Sequence, residues 1–264
     1  RQPGALDLDG EFLYLLSLDG LQILDVATPT EPELVADVAL SGFAGKIDVV
    51  AGYAYVTISG HLLVLDVHEP DKVAEVARVP RSGPVDVAVV DGRAYVAEIE
   101  GSVSVLDVSD PHQPVACGTA SLIESYCARV VAPGGDRVFA ANGNAGVAIV
   151  DVHDPWRPRQ IARVGAAQSW SGQCAWQDER LFVPAAVGGR GLAVVDVSVE
   201  DWQPRLGRLA APGFRALDMD FDSDSLAGEI ELLKSAACHD VGRAIKPQQV
   251  EGQIECASAE AVGW

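Results

Sequence analysis

An all-β fold of repeated four-stranded sheets is predicted by one pattern that returns five times: an apolar run closing on Asp-Val, then a polar turn that usually carries proline. The aspartates of this step, Asp25, Asp66, Asp107, Asp151 and Asp196, are spaced 41, 41, 44 and 45 residues apart. Strand-sized runs rich in β-branched residues fill the intervals, and none keeps a helical period, which excludes an α/β alternation. A lone four-stranded sheet has two faces to bury. Repeating it around an axis buries both faces against neighbours and leaves only short edges, so the expected architecture is a β-propeller of five four-stranded blades.

The third unit shows the order of elements. VDVAVV (85–90) meets the turn Asp91-Gly92, a two-residue hairpin signal, and RAYVAEI (93–99) follows. A glycine-containing bend leads to SVSVLDV (102–108), and PVACGTASL (114–122) closes the unit after a proline-bearing turn. The first unit repeats this order from ALDLDGEFLYLLSLDG onward. Each repeated aspartate sits where a strand enters a turn, so its expected role is to accept hydrogen bonds from turn N–H groups.

Composition narrows the function classes. Lys and Arg total 19 against 38 Asp and Glu, a formal charge of −19, which would repel a phosphate backbone and argues against nucleic acid as partner. No apolar run approaches the ~18 residues that a membrane-crossing helix needs. Five scattered cysteines without CxxC spacing make neither a disulfide framework nor a zinc signature. His68, His112 and His153 fall in the turns after Asp-Val without metal-ligand spacing, and no GxSxG, HExxH or P-loop is found. Residue 1 is Arg and the only methionine is Met219, so a removed signal peptide is neither indicated nor excluded.

The segments LLVLDV, SVLDV, VAIVDV and LAVVDV, each before a polar turn, resemble the LVIVD-repeat β-propellers over about residues 3–210. The resemblance implies the fold, and an often extracytoplasmic setting, but no particular chemistry.

After Pro212 the repeat stops, dividing the chain into a propeller (1–212) and a tail (213–264). The tail reads as two strands, to about Phe221 and over 228–237, with a helix from about Pro247. RALDMD (215–220) mimics GALDLD (4–9), which leaves two arrangements: five blades with the tail outside, the reading adopted, or six with a partial blade from the tail. CHDVGRAIKPQQVEGQIE resembles part of the large subunit of molybdenum hydroxylases, the xanthine dehydrogenase and aldehyde oxidase group. The resemblance places Gln253 near a molybdenum centre. The other pterin-binding segments are absent, so a fused foreign fragment without molybdenum cofactor is expected.

In propellers, ligands gather at one end of the central channel, at loops entering the innermost strands and at bends after the second strands. Aligning ALDLD, KIDVV, PVDVA, ARVVA and CAWQD puts Asp7, Asp48 and Asp86 at one level, with Arg129 or Val130 and Trp176 or Ala175 nearby. Adjacent carboxylates repel unless a cation or a donor lies among them. They therefore predict either a channel Ca²⁺ or pairing with a neighbouring blade's backbone or Arg129. Phe43, Tyr126, Arg129, Asn142, Asn144, Trp170, Gln173 and Trp176 are the candidate ligand contacts on the same rim, with Glu98 and Glu100 from the facing bends. Trp170 and Trp176 equally suit gaps between blades.

Two functions stay open at this point. One is a hydrolase using Ca²⁺ held by Asp7, Asp48 and Asp86 to polarise a lactone or ester carbonyl, with Glu98 as base and Arg129 or Tyr126 at the oxyanion or leaving group. The other is a non-catalytic platform for a protein or glycan.

Overall fold

A computed structural model of the chain describes residues 3–17, 20–122, 129–132, 134–142, 146–164, 174–177, 179–184, 192–197 and 206–209. The tail, and with it the expectations about its strands, helix and Gln253, lies outside the described residues.

Five four-stranded antiparallel sheets follow one another, each in simple sequential order. The first holds β1 (Pro3–Asp9), β2 (Phe12–Ser17), β3 (Gly20–Asp25) and β4 (Glu33–Ala39). The second holds β5 (Ala44–Val50), β6 (Tyr53–Ile58), β7 (His61–Asp66) and β8 (Ala74–Pro80). The third has β9 (Pro84–Val90), β10 (Arg93–Glu98), β11 (Ser102–Asp107) and β12 (Val115–Ser121). In the fourth are β13 (Arg129–Val131), β14 (Arg137–Ala141), β15 (Val147–Asp151) and β16 (Arg159–Val164). The fifth comprises β17 (Ala175–Gln177), β18 (Arg180–Pro184), β19 (Leu192–Asp196) and β20 (Leu206–Leu209). The predicted strands of the third unit fall within a residue or two of the observed ones.

The Asp-Val step makes each sheet close on itself. The carboxylates of Asp25, Asp66, Asp107 and Asp151 accept the N–H two residues on, at 2.9–3.1 Å, as the turn reading requires. The following valines, Val26, Val67, Val108, Val152 and Val197, each donate their N–H to a carbonyl in the hairpin between the first two strands, at 2.8–2.9 Å. That hairpin turns through Ala51-Gly52 and Asp91-Gly92 with φ of 51°, 76°, 50° and 71°, left-handed pairs that glycine at the second position makes cheap. A register shift recurs in every third-to-fourth strand pair, just before the repeated aspartate at Ile23/Leu24, Val64/Leu65, Ser104/Leu106 and Ile149/Val150, and one residue earlier at Ala193/Val194. Such bulges add twist to the outer edge of each blade.

The core lies between successive sheets. Tyr14, Leu16, Leu21 and Ile23 on one face of the first sheet pack on Ala54, Val56, Leu63 and Leu65 of the second. Tyr55, Leu62 and Val64 then meet Ala94, Val96 and Leu106 of the third. Tyr95, Val103 and Val105 meet Val138, Ala140 and Val150 of the fourth. Phe139, Val147 and Ile149 meet Leu181, Val183 and Val195 of the fifth. Strand alternation thus gives every blade one face with an aromatic residue and one with smaller aliphatics, and the two kinds interlock. The four-stranded blades and their face-to-face stacking are those of a β-propeller.

Candidate functional site

The first strands of the first four sheets adjoin one another, β1 against β5, β5 against β9 and β9 against β13. The aromatic residue of the second strand fixes their register. Tyr14, Tyr55, Tyr95, Phe139 and Phe182 pair with Asp7, Asp48, Ala88, Val131 and Ala175, so these five occupy one level. Asp86 pairs with Ala97 and Arg129 with Ala141, two residues nearer the strand start. The expected single level of three carboxylates is therefore corrected: Asp7 and Asp48 are level, and Asp86 sits one pleat away, level with Arg129.

Each of the three carboxylates reaches across to the next sheet. Oδ2 of Asp7 accepts the N–H of Val49 at 2.6 Å, that of Asp48 accepts Val89 N–H at 2.5 Å, and that of Asp86 accepts Val130 N–H at 2.9 Å. In all three the donor is the residue just after the register equivalent of the aspartate. The arrangement is a repeated clasp between inner strands, the backbone pairing that the sequence left open beside a cation.

The clasps are electrostatically costly. Burial pushes the Asp48 carboxyl up to about 7 against the Val89 hydrogen bond, and the charges of Asp7 and Asp86 raise it further. Burial likewise raises Asp86, to about 6, with its Val130 bond and the positive charges of Arg129 and Lys46 opposing. Asp7 is raised by burial despite bonds from Val49 and Leu8. Cys174, buried just before β17, is pushed up to about 12 by burial and held as a thiol, despite the nearby Arg129 charge. A thiol so raised is no nucleophile.

Among the described residues, no three His, Cys, Asp or Glu side chains are grouped as a metal ion requires. Calcium needs six to eight oxygens, and here each aspartate has one oxygen committed to a neighbouring backbone.

Glu98 ends β10 and is buried, its two oxygens accepting from Ser102 Oγ at 2.7 Å and Ser104 Oγ at 2.9 Å. Ser104 Oγ also shares a hydrogen bond with Thr119 Oγ1 at 3.0 Å. The candidate base is thus the centre of a network inside the third sheet. Sequence reading missed the serines, although their two-residue spacing on the adjoining strand puts them on one face. It missed Lys46 as well, whose charge acts on Asp86.

Asn142 is buried at the end of β14, its main-chain N–H donating to the Gly146 carbonyl at 2.8 Å. Trp176 lies partly buried against the core between the fourth and fifth sheets, the gap-filling position. Phe43 stands 74% exposed in the loop entering β5, held by Ser59, which accepts the Phe43 N–H on its side chain and donates its own N–H to the Phe43 carbonyl. Ile99, in the bend after β10, is 47% exposed at the same end of the next sheet. Tyr126, Asn144, Trp170 and Gln173 lie outside the described residues. The structure therefore brings together Asp86, Arg129 and Cys174 around the inner strands, and leaves Phe43 and Ile99 exposed at the same end of the second and third sheets.

Among solved structures, the chain is similar to the computationally designed Ika8 protein (TM-score 0.60, 12% identity, 74% of this chain and 58% of that one). It is also similar to a functionally unknown protein from Desulfotomaculum acetoxidans (TM-score 0.62, 13% identity, 78% and 71%) and to the periplasmic gluconolactonase PpgL of Pseudomonas aeruginosa (TM-score 0.63, 15% identity, 74% and 66%). The chain spans less than two thirds of Ika8, and at these identities the likeness is one of fold. No curated protein matches the sequence. The molybdopterin cofactor-binding domain model matches residues 213–264. The LVIVD repeat model matches residues 4–39, 41–80 and 84–120, which coincide with the first three sheets. The pattern of that model thus recurs once in each of the first three blades.

Proposed function

We propose that the chain is a non-catalytic binding platform that meets a protein partner on the rim carrying Phe43 and Ile99. The observation carrying this reading is how the polar side chains nearest that rim are used. Asp7, Asp48 and Asp86 clasp neighbouring strands, and Glu98 is enclosed by two serines, while the apolar Phe43 projects into solvent. An exposed aromatic on a rigid rim is the usual anchor of a protein contact. The charge of −19 favours a basic partner surface and speeds its approach.

A second reading, Ca²⁺-dependent hydrolysis of a lactone or ester, draws on one specific feature. The negative charges of Asp7 and Asp86 both act on Asp48, a mutual repulsion that a divalent cation would relieve. Its roles would be those set out above, with Asp7, Asp48 and Asp86 as ligands, Glu98 as base, and Arg129 or Tyr126 at the oxyanion.

The two are separated on the purified chain by a calorimetric calcium titration, by lactone and ester hydrolysis assays, and by binding to an array of basic peptides. The platform reading expects no calcium heat, hydrolysis at the buffer rate, and peptide binding weakened about tenfold by Phe43→Ala. Stoichiometric calcium uptake with hydrolysis abolished by Asp48→Ala would overturn it in favour of the hydrolase.

A further inference from the structure

The first sheet presents an apolar face that its counterparts bury. Leu6 and Leu8 are 64% and 59% exposed, whereas their register equivalents in the second sheet, Ile47 and Val49, are buried against the first. The same holds one strand out. Leu13, Leu15 and Leu24 are only partly buried, while their equivalents Ala54, Val56 and Leu65 are covered. Val26 is partly buried where Val67, Val108, Val152 and Val197 are buried.

The clasp is also open on this side. Leu8 is the register equivalent of Val49, the donor that Asp7 holds, yet the Leu8 N–H goes to Oδ1 of its own neighbour Asp7 at 2.9 Å, at an exposed position. No carboxylate from a preceding sheet takes it among the described residues. The fifth sheet has Ala175 at the clasp level, a residue with nothing to offer that N–H.

The repeat itself names an occupant. The level shared by Asp7, Asp48, Ala88, Val131 and Ala175 recurs at intervals of 41, 40, 43 and 44. A further 43 residues lead to Asp218, inside RALDMD, which matches GALDLD of β1 at four of six positions. Four residues (210–213) would link the end of β20 to a strand starting at Phe214, as four (40–43) link β4 to β5.

We propose that residues 214–221 add a sixth inner strand beside β1, covering Leu6 and Leu8 and placing the Asp218 carboxylate on the Leu8 N–H. This favours the arrangement with a partial sixth blade over a tail packed outside. The strand keeps the pace of the repeat although it falls within residues 213–264, which the molybdopterin cofactor-binding domain model matches. The proposal does not depend on what the rim binds.

Site-resolved amide exchange of the full chain tests it, with Val49, Val89 and Val130 as internal controls for the fold. The Leu8 amide should exchange about tenfold faster in Asp218→Ala and near the parent rate in Asp218→Asn, which keeps an acceptor, with the controls unchanged. Light scattering alongside should find a monomer. Three results would overturn the proposal: a Leu8 amide as fast in the parent as in Asp218→Ala; one that is protected but indifferent to Asp218→Ala, as cover by the fifth sheet would give; or a dimer that Leu6→Asp dissociates, as cover by a second copy would give.

Discussion

Replacing Asp48 with asparagine separates the two things its carboxylate does. The amide oxygen can still accept the Val89 N–H, so the clasp persists, while the charge that burial and the neighbouring carboxylates disfavour is gone. The sign follows from linkage. The folded carboxyl titrates near 7 and the unfolded one near 3.8, so between these values the folded chain holds a proton that the unfolded chain releases. The stability this group confers is complete below pH ~4 and is lost as pH rises through about 7. Three pH units at about 1.4 kcal/mol each set a ceiling of about 4 kcal/mol, and partial access to water reduces the expected effect to about 2 kcal/mol. Chemical denaturation of parent and Asp48→Asn at pH 4 and pH 8 reads it directly. The variant should match the parent at pH 4 and exceed it by about 2 kcal/mol at pH 8. A variant equally or less stable than the parent at pH 8 would refute the view that an ionised Asp48 burdens the fold.

Other perturbations follow from the same geometry. Glu98→Ala strips two serine hydroxyls of their acceptor inside the third sheet and should cost about 2 kcal/mol in the same denaturation assay, with no change in the exchange of the clasp amides. Gly118→Ala would drive a methyl to 2.5 Å from Pro158 Cδ and 2.7 Å from the Trp156 carbonyl, closing a contact between the third and fourth blades. A loss of about 2–3 kcal/mol is expected, read as a lower Tm. Phe43→Ala, at an exposed rim position, should leave the unfolding free energy unchanged within about 0.5 kcal/mol while weakening peptide binding. A large stability loss there would mark Phe43 as packing rather than contact surface.

Architecture was legible because its signals are local and repeated. The Asp-Val step tells the reader where a strand meets a turn, and the observed bonds to Ala27, His68, Ser109 and His153 show why aspartate is used there. Asp91-Gly92 marked its hairpin for a backbone reason that needs no tertiary context. The site was less legible, and Asp86 shows the cause. KIDVV and PVDVA both carry Asp-Val, and aligning that pair slides one strand by two residues relative to its partner. A two-residue slip keeps every side chain on the same face, so hydrophobic alternation does not betray it. Only the cross-strand partner does, Tyr55 for Asp48 and Ala97 for Asp86. The surroundings of Glu98 were hidden for a different reason: its burial depends on Ser102 and Ser104 arriving on the adjoining strand to satisfy both oxygens.

The repeated clasp carries most of the account, since it turns a row of channel carboxylates from ligands into connectors between blades. It is tested most directly by the exchange rate of the Val89 amide in Asp48→Ala against the parent. The clasp predicts that Val89 alone loses protection, about tenfold, while Val49 and Val130, held by Asp7 and Asp86, exchange as before. An unchanged Val89 rate would contradict it.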